Sequence, residues 1–298
     1  MQLIRTLGNV RNHPLNRSNR TAAVMRMLRW QVGSRLIRGS AVMPFTKRTR
    51  LLVKRGMTGA TGNIYCGLHD FEDMAFMLHL LRPADTFVDV GANVGTYTVL
   101  ASGEAGARSI AIEPVPQTFQ HLLDNVYLNR LHDRVVVHNC GVGSESGVLR
   151  FTATHDTTNH VVAAEEPEPD CPAIEVAVRT LDDILVGESP KLIKIDVEGF
   201  ESHVIRGAGN VLTAESLSGV VLELNGSGQR YGFDDESIHR QILEAGFRPY
   251  AYDPFGRALS ELPHRNTRGR NTLYLRDIDD IKTRIADAAA IELPWRTV

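Results

Sequence analysis

The run Asp85-Thr-Phe-Val-Asp-Val-Gly-Ala-Asn-Val-Gly95 constrains this chain more than any other segment. Apolar Phe87, Val88 and Val90 surround Asp89. The segment then breaks into Gly91-Ala-Asn-Val-Gly95, and a helix-like stretch from Thr96 to Ala101 follows at once. A buried strand that turns through glycines into a helix start presents bare backbone and free N–H groups. In open sheets of parallel strands, such a turn is where a nucleotide-like cofactor sits.

The rest of the chain repeats the alternation. Residues 109–113, 135–138, 192–195 and 219–224 read as further strands, with helices over 117–129, 201–208 and 238–245. Two closing strands follow at 249–252 and 272–275. Residues 147–152 and 174–178 pair as a hairpin around an acidic, proline-rich loop, 165–172. Upstream, Ser18 or Asn19 caps a helix to about Ile37 with Val24, Leu28, Val32 and Leu36 on its packing side. A short strand at 51–55, a loop punctuated by Gly56, Gly59 and Gly62, and a helix over 71–81 stopped by Pro83 complete the pattern. Strand–helix alternation means a mainly parallel sheet covered on both faces.

A chain of 298 residues, 43% hydrophobic and 23% charged, is long enough to bury a full core. No apolar run approaches the roughly 20 residues of a membrane span. Cys66, Cys140 and Cys171 form no CxxC pair and no metal-ligand cluster. They read as reduced thiols of a cytoplasmic protein. The net charge of −2 hides an asymmetry: residues 1–55 hold 13 Lys or Arg and no acid, so the remainder carries −15. This basic arm lacks the apolar core of a secretory signal. It either folds back on the acidic body or meets an anionic partner.

The glycine spacing does not fit a GxGxxG dinucleotide loop, and no GxxxxGK[ST] phosphate loop is present. Glu113 ends the next strand, 24 residues after Asp89, where a carboxylate can accept both hydroxyls of a ribose. An adenosine without a pyrophosphate fits better than a dinucleotide.

Between Thr58 and Leu275 the chain resembles the FkbM family of S-adenosylmethionine-dependent methyltransferases. The resemblance rests on Gly59-Ala-Thr-Gly-Asn-Ile-Tyr65, Asp89-Val-Gly-Ala-Asn-Val-Gly95, Glu113-Pro, Thr180-Leu-Asp-Asp183 and Ile193-Lys-Ile-Asp-Val-Glu-Gly199. It implies an α/β, Rossmann-like class I methyltransferase fold with a mainly parallel seven-stranded sheet and helices on both faces. It also implies S-adenosyl-L-methionine as cofactor, and methyl transfer to a hydroxyl of a small molecule, sugar or lipid-linked glycan. By that pattern Asp89, Gly91, Asn93 and Gly95 line the methionine side, Glu113 takes the ribose, and Cys140, Gly141 and Val142 lie near the adenine. The expected organisation is a basic, partly helical extension over 1–45, which lies outside the resemblance, a segment covering the site over 46–84, the methyltransferase domain over 85–278, and a tail over 279–298.

Asp196, Glu198 and Gly199 follow the fourth strand directly, where strand ends face the ligand crevice. An acceptor alcohol needs a base to take its proton as the new bond forms. Asp196, Glu198 and His160 are the candidates. Asp196 is expected to orient the acceptor or the cofactor's ammonium, and His160 or Glu198 to accept the proton; His160 sits in the polar segment Thr157-Thr-Asn-His160 that could arch over the site. The plainer reading of Asp196 is a helix cap; that of His160 is a loop histidine. Glu223 and Asn225, ending the fifth strand, could reach the same crevice, while Tyr65, Phe71 and Phe255 are candidates for the acceptor pocket. No metal is assigned, because no ligand spacing demands one. The competing readings are an RNA or protein methyltransferase, motivated by the basic arm, and a non-catalytic adenosine-binding scaffold. Nucleic acid is disfavoured, because Asp196-Val-Glu-Gly199 stands where amino-group methylation of bases often uses an Asn-Pro-Pro-Tyr-like motif.

Overall fold

The computed structural model describes residues 2–152, 159–163, 173–267, 269 and 271–298. The acidic loop 165–172, with Cys171, lies outside the described residues, as does Thr157. The chain opens with helices α1 (Gln2–Asn12) and α2 (Arg20–Leu36), then the hairpin β1 (Ala41–Pro44) and β2 (Arg50–Val53). Helices α3 (Thr58–Cys66) and α4 (Phe71–Leu80) follow. The alternating part runs β3 (Thr86–Val90), α5 (Thr96–Gly103), β4 (Arg108–Ile112), α6 (Pro116–Leu128) and β5 (Val135–His138). Next come β6 (Gly141–Val142), β7 (Gly147–Thr152), β8 (Ala173–Arg179) and α7 (Leu181–Ile184). The alternation resumes with β9 (Pro190–Ile195), α8 (Glu201–Arg206), α9 (Gly209–Thr213), β10 (Gly219–Glu223) and α10 (Asp235–Glu244). The chain closes with β11 (Arg248–Asp253), β12 (Ala258–Glu261), β13 (Asn271–Leu275), α11 (Ile278–Ala286) and the short pair β14 (Glu292–Leu293) and β15 (Arg296–Thr297).

The main sheet has the order β12-β11-β13-β10-β9-β3-β4-β5. Its strands from β10 to β5 are parallel, and β13, β11 and β12 add antiparallel. This is a Rossmann-like α/β sheet with eight strands rather than the seven expected, because the edge strand β12 pairs with β11. The chain winds from β3 outward to β4 and β5, then returns to β9 on the other side of β3. That reversal opens a crevice at the carboxyl ends of β3 and β9.

Alternation along the strands feeds two cores. Phe87, Ala111, Leu192 and Val221 pack with α1 to α6 and α11, whereas Val88, Ile110, Ile193 and Val220 pack with α7 to α10. The hairpin expected from 147–152 and 174–178 is present as β7 against β8, with β6 completing a small side sheet.

Two local expectations are corrected. The sequence placed Gly56, Gly59 and Gly62 in a loop, but Gly59 and Gly62 lie inside α3. A Cβ on Gly62 would sit 2.6 Å from the His69 ring, so tertiary packing uses the glycine within a helix. In α2 the packing side is Ala23, Met27 and Trp30; Leu28, Val32 and Leu36 face outward. Arg26 and Gln31 fix this choice by donating to the Tyr65 carbonyl (3.0 Å) and hydroxyl (2.8 Å). The basic extension folds back on the domain, with Val10, Leu15 and Ala23 joining the larger core. Residues 279–298 also pack on it: Ile281 and Ile285 of α11 are buried, and Arg284 pairs with Asp85 at 2.7 Å.

Buried Asn125 of α6 ties the N-terminal hairpin to the glycine turn. Its Oδ1 accepts from Leu52 N at 2.7 Å and its Nδ2 donates to Val94 O at 2.8 Å. Replacing Asn125 with Ala leaves both backbone groups unpaired, so unfolding free energy falls by about 2–4 kcal/mol. Urea denaturation checks this, with exposed Gln120→Ala as a control changing stability by less than about 0.5 kcal/mol.

Candidate active site

The glycine turn is held from two sides. Gly91 N and Ala92 N donate to Ile112 O at 3.0 and 2.9 Å, and Asp196 N donates to Val90 O at 3.1 Å. Gly91 has φ +79°, and a Cβ there would lie 1.9 Å from the Asp196 carbonyl oxygen, so only glycine fits. Asn93, at φ 52°, supports its own turn by accepting from Val94 N at 2.8 Å. Asp89 is buried beneath the turn and accepts from Thr98 N (3.1 Å) and Thr98 Oγ1 (2.7 Å), which anchors the first turn of α5. Burial pushes the Asp89 carboxyl above its ordinary pKa, opposed by Lys194 and the Thr98 bonds.

A cavity of about 530 Å³ lies over these strand ends. Of the residues expected to hold a cofactor, Gly91, Asn93, Glu113, Cys140, Gly141, Val142 and Asp196 line it. Asp89 and Gly95 are absent from its wall. Both shape the turn from below, Gly95 because a Cβ would sit 2.5 Å from Leu122. Glu113 accepts from Asn93 N and Val115 N, each at 3.0 Å, and burial raises its pKa to about 7. Beside it, Val142, Phe151, Val161 and Phe200 form an apolar slot, and a Cβ on Gly141 would meet the Phe151 ring at 2.9 Å. A slot of this shape next to a carboxylate suits a flat base and its ribose.

The other end of the cavity is charged. Lys194, buried in β9, donates to Asp196 at 2.8 Å and stands 4.9 Å from the Tyr97 ring centre. Burial alone would lower the Lys194 pKa, but Asp196 and Asp89 override it and hold the ammonium above its usual value. Glu223 lies buried beside Asp196; desolvation, reinforced by the Asp196 carboxylate, raises its pKa well above that of a free glutamate. Glu198 lines the cavity from a left-handed turn (φ 53°). That turn is fixed by Glu201, which accepts from Val197 N and Gly199 N at 3.1 and 3.2 Å. Thus Glu201, not Asp196, caps the turn into α8.

Several candidates are not brought together. Asn159 and Val161 line the cavity and His160 does not; its backbone pairs with Thr152 instead. Asn225 borders a separate surface depression rather than the cavity. Phe71 is in the core against Phe255, with ring centroids 5.1 Å apart, and Tyr65 bonds Gln31; none of the three aromatics lines the cavity.

In their place stand residues the sequence reading did not select. Tyr97 donates to Asp70 at 3.2 Å, and Asn271 donates to half-buried Asp73 at 2.8 Å. Arg5, Asn9, Thr58, His69, Asp70 and Asn271 give this side a polar wall. Lys194 carried a readable signal, a charged residue inside the apolar run Leu192–Ile195. Arg5, His69 and Asn271 carried none, because they come from distant parts of the chain. Oxygens of Asp196, Glu198 and Glu223 lie within 4.8 Å of one another, a set that could take a hard cation, but the Lys194 ammonium already neutralises part of it.

Residues 89–249, more than half of the chain, match the methyltransferase FkbM domain. The chain belongs to the FkbM methyltransferase family. It is 32% identical over 168 residues to hexuronic acid methyltransferase AglP of Haloferax volcanii, covering 54% of this chain and 62% of that protein. It is 32% identical over 171 residues to the 31-O-demethyl-FK506 methyltransferase FkbM of Streptomyces tacrolimicus, covering 46% of this chain and 65% of that one. The matched regions therefore span less than two thirds of these relatives. Among solved structures, Pyrococcus horikoshii TYW2 in complex with MeSAdo superposes with a TM-score of 0.42 and 14% identity, over 79% of this chain and 69% of that chain. The FkbM domain takes in the glycine turn, Glu113 and the acidic floor. The residues of the polar wall lie outside it.

Glu113 and Glu201 are both raised by burial from 4.5 to about 7. The folded state therefore holds more protons than the unfolded chain between these values, and stability falls as pH climbs through that window. Urea midpoints across the window should show the decline, and Glu201→Gln should reduce its slope.

Proposed function

We propose that this protein is an S-adenosylmethionine-dependent O-methyltransferase acting on a hydroxyl of a small, polar, sugar-like acceptor. The observation that carries the acceptor class is the polar wall. Arg5, Asn9, Thr58, His69, Asp70 and Asn271 offer many donors and acceptors and few apolar atoms. A polyhydroxylated ring can satisfy such a wall, whereas an apolar polyketide would strand it unpaired. The name of the relative from Haloferax volcanii, a hexuronic acid methyltransferase, points the same way.

The donor set fits the cofactor. Glu113 would hold the ribose hydroxyls, Val142, Phe151 and Phe200 the adenine, and Gly91 and Asn93 the methionine end. When bound, the cofactor supplies an electrophilic methyl group on a sulfonium sulfur. Asp196 and Glu198 would give that end negative charge, which suits a cationic sulfonium.

The remaining task is to orient the acceptor and remove its proton. Asp196 faces the cavity, tethered by Lys194, and accepts the hydroxyl proton as the oxygen attacks. Glu223, protonated beside it, limits the charge that must be held there. Glu198 orients the acceptor, and Arg5 and His69 add polar groups to the wall it meets.

Asp196→Asn should lower kcat by about 10²- to 10⁴-fold while affinity for S-adenosylhomocysteine changes only a few-fold. Turnover with methyl-labelled cofactor and a uronic-acid-bearing oligosaccharide, beside calorimetry, reads both. Near-normal turnover in both Asp196→Asn and Glu198→Gln, with cofactor still bound, refutes the carboxylate assignment. A labelled macrolide or RNA in place of a labelled sugar refutes the acceptor class.

Cofactor affinity carries its own pH signature. Glu113 accepts two hydroxyls best when ionised, so affinity for S-adenosylhomocysteine should rise as pH passes through about 7 and then level off. Glu113→Gln should flatten that titration.

A further inference from the structure

Helix α2 is apolar on two sides, and only one of them is used. Ala23, Met27 and Trp30 pack into the domain. On the opposite side Met25, Leu28, Val32 and Leu36 follow one another at helical spacing and are 46%, 45%, 60% and 79% exposed. The row continues into Ile37, which is 49% exposed. Aliphatic side chains in a continuous row, left in water, mark a surface that something covers.

The charges around the row say what that is. At 100° per residue, Arg29 flanks it on one side and Arg35 on the other, both exposed, with exposed Arg38 just past the helix end. The helix contains no acid, and residues 1–55 contain 13 basic side chains and none that are acidic. The occupant must therefore be apolar along a narrow centre and anionic along both edges. A second copy would set arginines against arginines. Nucleic acid would meet the arginines, but aliphatic side chains give its bases nothing to stack on. A protein partner would be expected to bind an aromatic anchor, and the row has none. A bilayer with anionic headgroups satisfies both requirements, because an arginine-flanked apolar helix lies flat at the acyl boundary.

We propose that the outward face of α2 docks the protein onto an anionic lipid surface. Met25, Leu28, Val32 and Leu36 enter the acyl boundary while Arg29, Arg35 and Arg38 meet the headgroups. This docking is peripheral, and no described helix is long and apolar enough to cross a membrane. It is independent of the chemistry assigned to the cavity, since none of these side chains lines it.

The test is vesicle flotation of the full chain with phosphatidylcholine alone and with phosphatidylcholine mixed with phosphatidylglycerol. The protein should float with the mixed vesicles, not with phosphatidylcholine alone, and high salt should release it. The double variant Val32→Asp, Leu36→Asp should abolish flotation with an unchanged urea midpoint, because both positions are exposed. Arg29→Gln and Arg35→Gln should each weaken partitioning by about fivefold. Failure to float with mixed vesicles overturns the proposal, as does flotation that the aspartate variant retains. A wild-type dimer that the aspartate variant converts to monomer also overturns it, by assigning the row to a second copy.

Discussion

A lysine ammonium buried in the central sheet holds this crevice in its working shape. Lys194 sits on β9, directly across from Asp89 of β3, and its side chain reaches Asp196 two residues further along the same face. Taking such an ion out of water costs several kcal/mol, and removing its partners would leave that cost unopposed. The charge is sustained because carboxylates arrive from two strands and the Tyr97 ring covers it. The same charge gathers acids at the reactive end. Asp196 is tethered to it, and burial beside Asp196 raises the Glu223 pKa. An acidic end with one internal cation can receive a sulfonium and still leave a carboxylate facing an acceptor.

The crevice has two halves of different origin. One half is made by consecutive βα units: the turn after β3, Glu113 at the end of β4, and the slot beside β6. All of these lie within the FkbM domain. The other half is assembled from pieces that precede and follow that domain, namely α1, the α3–α4 region and the start of β13. Register alone brings Asn271 opposite Glu223, and from there to Asp73.

The half of the crevice inside the FkbM domain was largely legible in the residues. A strand, a glycine turn and a spaced glutamate form a local pattern, and Gly91, Asn93, Glu113 and residues 140–142 line one cavity. Asp89 and Gly95 belong to the same pattern but act one layer down, holding the turn rather than facing the cavity. Sequence spacing cannot separate these two positions, because it records proximity along the chain and not which side of a turn a carboxylate takes. His160 is a related case: its polar neighbourhood was readable, but only the fold shows that Asn159 and Val161, and not His160, line the cavity.

The alternation of strands and helices, the glycine turn and the acidic pair after the fourth strand were properties of the chain itself, because each depends on residues within one turn or one strand of each other. Tertiary structure decided the rest. It selected Ala23, Met27 and Trp30 as the packing stripe of α2, because only that side meets the Tyr65 carbonyl and hydroxyl. It turned a glycine-punctuated stretch into α3, because the His69 ring fills the space beside Gly62. It also built the polar wall of the cavity, joining Arg5 to Asn271 across almost the whole chain. Contacts at that separation depend on how β13 returns beside β10 and how α1 folds back over the sheet, and no local pattern encodes either.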